Sequence, residues 1–275
     1  MTSSTPSDKK VCELVEILEE AYINAYIFPV SERDSDNTDR YTKTYAAAEQ
    51  WLLEHEGDSD LLKRAANQVG KRVIKRRDEY HKYDCTVLWY AVCLRPQVAF
   101  IKRILQLAPD TIKSKCSLQL PLPLHAAYTY CASFQVIKLL LDTYPEAATV
   151  QNNRLELPLH LAVRSKSKYD VIKILFEAYP EGAKVQTGDG SLPLHYACEV
   201  QVSDIASLLL DVYPEGAKVQ DNDRMLSIHL ACQNNATEIA LKLLEVYPEG
   251  TTIQDEDGRL PLHRACRYSA TDIAL

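Results

Sequence analysis

The sequence predicts an all-α solenoid of helix–turn–helix repeats, joined by extended loops or hairpins and preceded by a helical N-terminal region. Histidine recurs in the last two-thirds of the chain at intervals of 35, 35, 34 and 34 residues, each time two positions before an alanine. A Tyr-Pro-Glu corner closes each complete copy. A fixed period near 34 residues is typical of stacked repeats. The recurring histidines are His125, His160, His195, His229 and His263.

Each repeat is predicted to contain two helices. In the copy at His195, Pro193 suits the first turn of a helix because its missing N–H would have no helical partner there. Ser203 is a cap-type residue before a second apolar stripe, and Pro214 ends that helix. Gly216 is predicted to take a positive φ just past the corner. The period varies by one residue between the two helices, which indicates a turn there.

The repeats are predicted to fill residues 85–275, with five recognisable units and a truncated sixth. The first unit is eroded, because Trp89 stands where the histidine should be and Pro109 marks its corner. The sixth unit reaches Leu275 within the first turn of its second helix. We expect this last unit to fray, because short helical pieces do not offset their ordering entropy.

Residues 1–84 show no repeat signature and are predicted to form a helical region that caps the first unit. Apolar spacing predicts helices over 11–28, 45–55 and 60–80. A basic run at 71–77 is predicted to lie on one face of the third helix. It is interpreted as a solvated helix face, and a nucleic-acid or nuclear adaptor acting through this basic helix is the alternative.

The repeat motif resembles that of ankyrin repeats. The segments LPLHYAC, LPLHLAV, LSIHLAC and LPLHRAC are similar to the family signature T-P-L-H-x-A, with leucine in place of threonine. The glycine before the motif is kept as Gly190 and Gly258 and is replaced by Leu155 and Arg224 elsewhere. The resemblance covers about two-thirds of the chain. It implies a non-catalytic scaffold that binds a protein partner of unknown identity.

The cysteines are predicted to be small buried hydrophobic residues. Cys198, Cys232 and Cys266 occupy one helix position in successive units, and units about 10 Å apart are too far separated for a disulfide. Reduced thiols predict an intracellular protein, cytoplasmic or nuclear. The net charge of −7 divides into −4 for residues 1–84 and −3 for residues 85–275, so neither region is a general binder of polyanions.

The repeated histidines and acidic loops are interpreted as structural rather than catalytic or metal-binding. Five equivalent histidines spread along a stack cannot converge on one reaction centre or one zinc ion. The loops at Asp221 and Asp255 resemble the start of a calcium loop, yet cysteine stands at position twelve, where glutamate is needed. No nucleophile–base pair or phosphate loop is found, so neither an enzyme nor a cofactor is predicted.

Ankyrin proteins commonly bind partners through their hairpin tips and the exposed end of the first helix of each repeat. Carried over to this sequence, the resemblance implies that a partner contacts the positions just before each motif. It also implies contacts at the positions four and five residues after each of the last three histidines. These residues differ between units while the frame stays constant. The predicted partner-binding residues are Glu156, Ser191, Glu199, Val200, Met225, Gln233, Asn234, Arg259, Arg267 and Tyr268.

Overall fold

The computed structural model describes residues 6–22, 37–67, 72–76, 79–83, 85–94, 97–116 and 122–268. It divides into two compact units, Met1–Ala147 and Ala148–Leu275. Helices dominate both units, which confirms the predicted all-α repeat fold. The predicted domain boundary at residue 84 remains a prediction.

Three helices begin the first unit: α1 (Pro6–Tyr22), α2 (Asn37–Glu54) and α3 (Ser59–Ala66). The first two begin earlier than the apolar spacing predicted, and residues 23–28 lie outside the described part of the chain. The indole Nε1 of Trp51 donates to Glu13 Oε2 at 2.8 Å, which fixes α2 against α1. The apolar faces of α1 and α3 are buried at Leu14, Val15, Leu18, Leu62, Ala65 and Ala66.

The predicted helix over 60–80, which carried the basic run at 71–77, is wrong over 72–76 and 79–80, where the structure has strands. Residues 68–71 and 77–78 lie outside the described part of the chain. Strand β1 (Arg72–Arg76) pairs antiparallel with β2 (Glu79–Tyr83), with Val73 opposite Lys82. Adjacent β-branched side chains such as Val73 and Ile74 favour strand over helix, because their χ1 freedom is restricted in a helix. The prediction of a helix relied on the four-residue spacing of Val69 and Val73 and overlooked this local preference.

Five helix pairs and one further helix follow in the described part of the chain. Each first helix is short and begins at the motif, and each second helix has ten residues. Their bounds are α4 (Val87–Cys93) with α5 (Val98–Leu107), α6 (Pro123–Thr129) with α7 (Phe134–Thr143), α8 (Pro158–Arg164) with α9 (Tyr169–Ala178), α10 (Pro193–Val200) with α11 (Ser203–Val212), α12 (Ser227–Gln233) with α13 (Thr237–Val246), and α14 (Pro261–Arg267).

The one-residue variation in period falls in the turn between the two helices of a repeat, as predicted. One residue of this turn adopts a positive φ in each of four repeats, which reverses the chain without a glycine. The turn is at the surface, where a length change costs little. The residues with positive φ are Cys131, Lys166, Gln201 and Asn235.

The Tyr-Pro-Glu corner ends each second helix and begins a 3₁₀ turn. At the fourth repeat Tyr213 is extended (φ −141°), and Pro214 opens the turn Pro214–Lys218. The prediction of a positive φ at Gly216 is wrong. Among the described glycines, Gly190 and Gly258 have a positive φ and Gly216 does not. A Cβ at Gly216 would lie 3.1 Å from Cδ1 of Tyr213. Glycine therefore serves here to admit the tyrosine ring.

Within the second unit, the first helices α8, α10, α12 and α14 pack side by side in chain order, as do the second helices α9, α11 and α13. The leucine or isoleucine before the histidine is buried in three successive repeats, at Leu159, Leu194 and Ile228. Each such burial contributes about 1.5–3 kcal/mol. Cys198 and Cys232 are also buried, whereas Cys266 on α14 is exposed.

Candidate functional site

A hairpin precedes each of the four motifs of the second unit and is closed by a polar side chain at its base. At the fifth repeat, Asp221 Oδ1 accepts the backbone N–H groups of Asp223 (3.0 Å) and Met225 (2.8 Å). Asp255 does the same for Asp257 (3.0 Å) and Arg259 (2.8 Å). The carboxylates that resembled a calcium loop therefore hold their own turns. The same position is occupied by Asn152, Thr187, Asp221 and Asp255.

The tips of neighbouring hairpins are joined by backbone hydrogen bonds. Gly188 N–H donates to the Arg154 carbonyl at 2.8 Å, and Asn222 N–H donates to the Asp189 carbonyl at 2.9 Å. The Glu256 N–H continues the series to the Asp223 carbonyl at 3.0 Å. These bonds align the tips in a row, so that exposed side chains from successive repeats form one surface.

The position after each tip has a positive φ whether or not it is glycine. Gly190 and Gly258 have φ of 78° and 73°, and Leu155 and Arg224 have φ of 57° and 56°. The hairpin geometry therefore survives the loss of glycine at two positions. A non-glycine residue in this region costs roughly 1–2 kcal/mol, which the closing hydrogen bonds of the hairpin offset.

The recurring histidine bridges its own repeat to the base of the next hairpin. In the fourth repeat Leu192 N–H donates to Nδ1 of His195 at 3.0 Å, and Nε2 of His195 donates to the Met225 carbonyl at 3.3 Å. In two other repeats Nε2 donates to an earlier carbonyl that precedes the next hairpin, from His160 to Val185 (3.0 Å) and from His229 to Ile253 (3.1 Å). This arrangement assigns the proton to Nε2 of a neutral imidazole.

Burial keeps these histidines neutral. It lowers the pKa of His160 and His195 to about 4, although the carbonyls that they contact act in the opposite direction. Burial also lowers the pKa of His229. The contacts support the predicted structural role. His125 is buried within α6, and His263 is exposed while its Nδ1 accepts the Leu260 N–H at 3.0 Å.

Two predicted partner-binding residues have buried side chains, so the structure lends no support to their assignment. Glu156 is 3% exposed, and its carboxylate accepts from Asn152 Nδ2 (2.7 Å) and pairs with Arg164. Ser191 is 8% exposed, and its carbonyl accepts from Thr187 Oγ1 at 3.1 Å. Both side chains lie at the base of a hairpin, where the closing residue covers them.

The other eight predicted residues are at least partly accessible, all on first helices or hairpins of the second unit. Gln233 Oε1 accepts from Arg264 at 3.2 Å, and Arg259 pairs with Asp257, so these two are held in place. Glu199, Arg267 and Tyr268 are exposed, and Val200, Met225, Gln233, Asn234 and Arg259 are half-buried.

The sequence prediction missed two arginines on the first helices of the second unit. Arg164 lies four residues after His160, at the offset that selected Glu199, and its guanidinium lies 5.7 Å from the ring centroid of Tyr196. Applying that offset to the third repeat would have found it. Arg264 is buried against Asp255, which no spacing rule indicates.

One expectation about the cysteines is wrong. Cys85 and Cys116 form a disulfide, with Cα atoms 4.6 Å apart, within the range that a disulfide spans. The distance of about 10 Å between successive units excludes disulfides only between cysteines at the same helix position, and neither Cys85 nor Cys116 occupies that position. Within the described ranges, no group of three or more His, Cys, Asp and Glu side chains could hold a metal ion.

The described helices include none long and apolar enough to cross a membrane.

The family model described as ankyrin repeats (3 copies) matches residues 159–252 and 194–275. No curated protein sequence matches the chain. The matched residues contain the histidine bridges and three of the four aligned hairpins of the second unit. Residues 159–275 of this chain are therefore similar to ankyrin repeats.

Proposed function

We propose that the second unit is a non-catalytic module that binds a protein partner through its hairpin tips and the exposed ends of its first helices. Ankyrin repeats are generally protein–protein interaction modules. The observation that carries the proposal is the contrast between a constant frame and a varied face. The histidine bridge is repeated at His160, His195 and His229, while exposed side chains beside it change in charge and size.

The position four residues after the histidine illustrates this contrast. It is occupied by Arg164, Glu199, Gln233 and Arg267 in successive repeats, so a cation, an anion, an amide and a cation follow one another. In all four repeats the histidine Nδ1 accepts the backbone N–H three residues earlier, which fixes the start of the helix that carries this position. A fixed backbone lowers the ordering cost of binding, because fewer rotamers and loops must be immobilised.

The varied position therefore offers charge complementarity that can select one partner. Charged residues at an interface suppress wrong partners and fix the register of the right one. Tyr268 is 50% exposed at the end of the row, with Arg267 stacked 6.0 Å from its ring centroid. Tyrosine and arginine are the residue types that most often dominate binding energy at interfaces.

Affinity purification with matched variants tests the proposal. The intact chain and its Glu199→Arg variant are used as bait, and co-purifying proteins are quantified by mass spectrometry. We expect a partner that the original chain retains and that Glu199→Arg loses, because the charge at the centre of the face is reversed.

The control is Glu177→Arg, which makes the same charge reversal at an exposed position on the second helix α9. This variant should retain the partner. A partner lost equally from both variants would contradict the proposed face, as would one that Glu199→Arg retains at full yield.

A further inference from the structure

The hairpin and first helix of the third repeat, which begins before α8, present basic side chains. Arg154 is exposed at the hairpin tip, and Arg164 is exposed at the end of α8. Between residues 151 and 164 the one carboxylate is Glu156, which is buried and pairs with Arg164. The tip and the helix end of this repeat therefore both present positive charge.

The same two places in the fourth repeat, which begins before α10, are acidic. Asp189 is exposed at the hairpin tip, and Glu199 is exposed near the end of α10. No lysine or arginine occurs between Gln186 and Gln201. Within the described ranges, neither carboxylate forms an ion pair with a lysine or an arginine. The fourth repeat therefore presents two negative charges that the chain does not neutralise.

Hydrogen bonds inside the fourth hairpin keep Asp189 ionised. Its Oδ1 accepts from the Thr187 hydroxyl and from the Ser191 N–H, the latter at 3.3 Å. Burial acts to raise the pKa of Asp189, but these hydrogen bonds outweigh it and lower the pKa. The carboxylate is therefore charged at neutral pH and is held in one place.

The basic and acidic repeats lie next to each other on a fixed backbone. The Gly188 N–H donates to the Arg154 carbonyl at 2.8 Å, so the two hairpin tips are neighbours. The Arg164 guanidinium lies 5.7 Å from the ring centroid of Tyr196 on α10, so the two first helices are neighbours too. Packed helices are about 10 Å apart. The sign of the surface charge therefore changes over about one repeat, both at the tips and at the helix ends.

We propose, building on the proposed function, that this face selects a protein segment with an acidic side chain about 10 Å from a basic one. The acidic side chain pairs with Arg154 or Arg164 of the third repeat. The basic side chain pairs with Asp189 or Glu199 of the fourth repeat. A segment of uniform charge is repelled by one of the two repeats, so the change of sign selects against it.

Two backbone conformations of a partner place side chains at this spacing. In a polyproline II segment, residues three apart lie on one side at a distance of about 9 Å. In an α-helix, residues seven apart lie on one side at a distance of about 10 Å. The expected partner sequence therefore has an acidic and a basic residue separated by three or by seven positions.

Selection from a peptide library tests the proposal on the intact chain. Random peptides of about twelve residues, which span roughly 40 Å when extended, are displayed on phage and selected against the original chain. Oppositely charged pairs at separations of three or seven should be enriched about fivefold over the unselected library, the effect expected of two exposed ion pairs. Synthetic peptides of the enriched sequences should bind more weakly as salt is added.

Two single charge reversals should change the selected pattern in opposite directions. Glu199→Arg makes both helix ends basic and should enrich pairs of acidic residues at the same separations. Arg154→Glu makes both hairpin tips acidic and should enrich pairs of basic residues. Both side chains are exposed, so each variant should keep the thermal midpoint of the original chain. The matched control Glu177→Arg, on α9, should select the same peptides as the original chain.

The outcomes separate this inference from the proposed function. If the original chain enriches no mixed-charge pairs, or if both reversals select the same pairs as the original chain, the inference is overturned. Peptides of another pattern that Glu199→Arg loses and Glu177→Arg retains would overturn the charge pattern while supporting the binding face. Peptides of another pattern that every variant retains would contradict both.

Discussion

The guanidinium of Arg264 donates to a single carboxylate oxygen of Asp255 from both Nε (2.7 Å) and Nη2 (2.6 Å), and both residues are buried. The other oxygen of Asp255 closes the hairpin through two backbone N–H groups. Burial acts to raise the pKa of Asp255, but these bonds and the arginine outweigh it and lower the pKa. The pair ties the last described hairpin to α14, at a position where other repeats have Leu161, Tyr196 and Leu230.

Removing the arginine should destabilise the last repeat. Arg264→Leu leaves a buried carboxylate without its cation, which costs about 3 kcal/mol. The double variant Arg264→Leu/Asp255→Asn should regain most of this loss, because the third repeat already combines Leu161 with Asn152. Urea unfolding measures both. Equal destabilisation of the single and double variants would show that the charge left behind is not the cause.

Acidification should destabilise the chain through its buried histidines. His160 and His195 have a pKa of about 4 in the folded state, below the ordinary value of 6.5. The unfolded chain therefore binds more protons between these values, so stability is complete above pH 6.5 and is lost as the pH falls toward 4. Each histidine contributes on the order of 3 kcal/mol to this loss.

Urea midpoints measured from pH 7.5 to 4.5 test this slope. Asp255, whose pKa is lowered, loses its contribution only at lower pH and does not obscure the window. The double variant His160→Gln/His195→Gln should be less stable at pH 7.5 and should show a smaller slope. A slope equal to that of the original chain would contradict the assignment to these histidines.

The cost of losing a histidine should depend on its bridge. His195→Ala removes two hydrogen bonds from a buried site and should reduce the free energy of unfolding by about 1–3 kcal/mol. His263→Ala changes an exposed histidine and should cost less than about 1 kcal/mol. Thermal unfolding followed by circular dichroism compares them. A larger loss for His263→Ala would rule out the bridge as the source of stability.

Alanine substitutions at the two glycines with positive φ should differ in cost, because one introduces backbone strain alone and the other adds a steric clash. Gly258→Ala has open space around the new Cβ, so it should cost only the conformational penalty of about 1–2 kcal/mol. A Cβ at Gly190 would lie 2.7 Å from Oδ1 and 2.9 Å from the backbone nitrogen of Asn222, so Gly190→Ala should cost more. Urea unfolding compares the two, and equal losses would show that the tips of neighbouring hairpins are not tightly joined.

The repeat frame was predictable because its signals recur. A histidine that returns every 34 or 35 residues identifies the repeat even where Trp89 replaces one copy. The burial of Glu156 was not predictable, because it depends on Arg164 reaching back eight residues from the end of α8. The Cys85–Cys116 pair likewise depends on a contact between residues 31 apart in the chain.

At two places the sequence pattern predicted the wrong backbone conformation. Val73 and Ile74 form a strand although their spacing from earlier apolar residues suits a helix. Gly216 is required by the ring of Tyr213 rather than by its own backbone angle. A periodic pattern reports which face is buried, but it does not report which backbone conformation presents that face.

The central claim is that a constant frame supports a varied binding face, and one paired measurement tests it most directly. The affinity for the purified partner and the midpoint of thermal unfolding are measured for His195→Ala and Glu199→Arg. His195→Ala should unfold at a lower temperature and bind within about twofold of the original chain when assayed below its midpoint. Glu199→Arg should keep its midpoint and bind about tenfold more weakly. The opposite pattern, with binding lost in His195→Ala and stability lost in Glu199→Arg, would contradict the account.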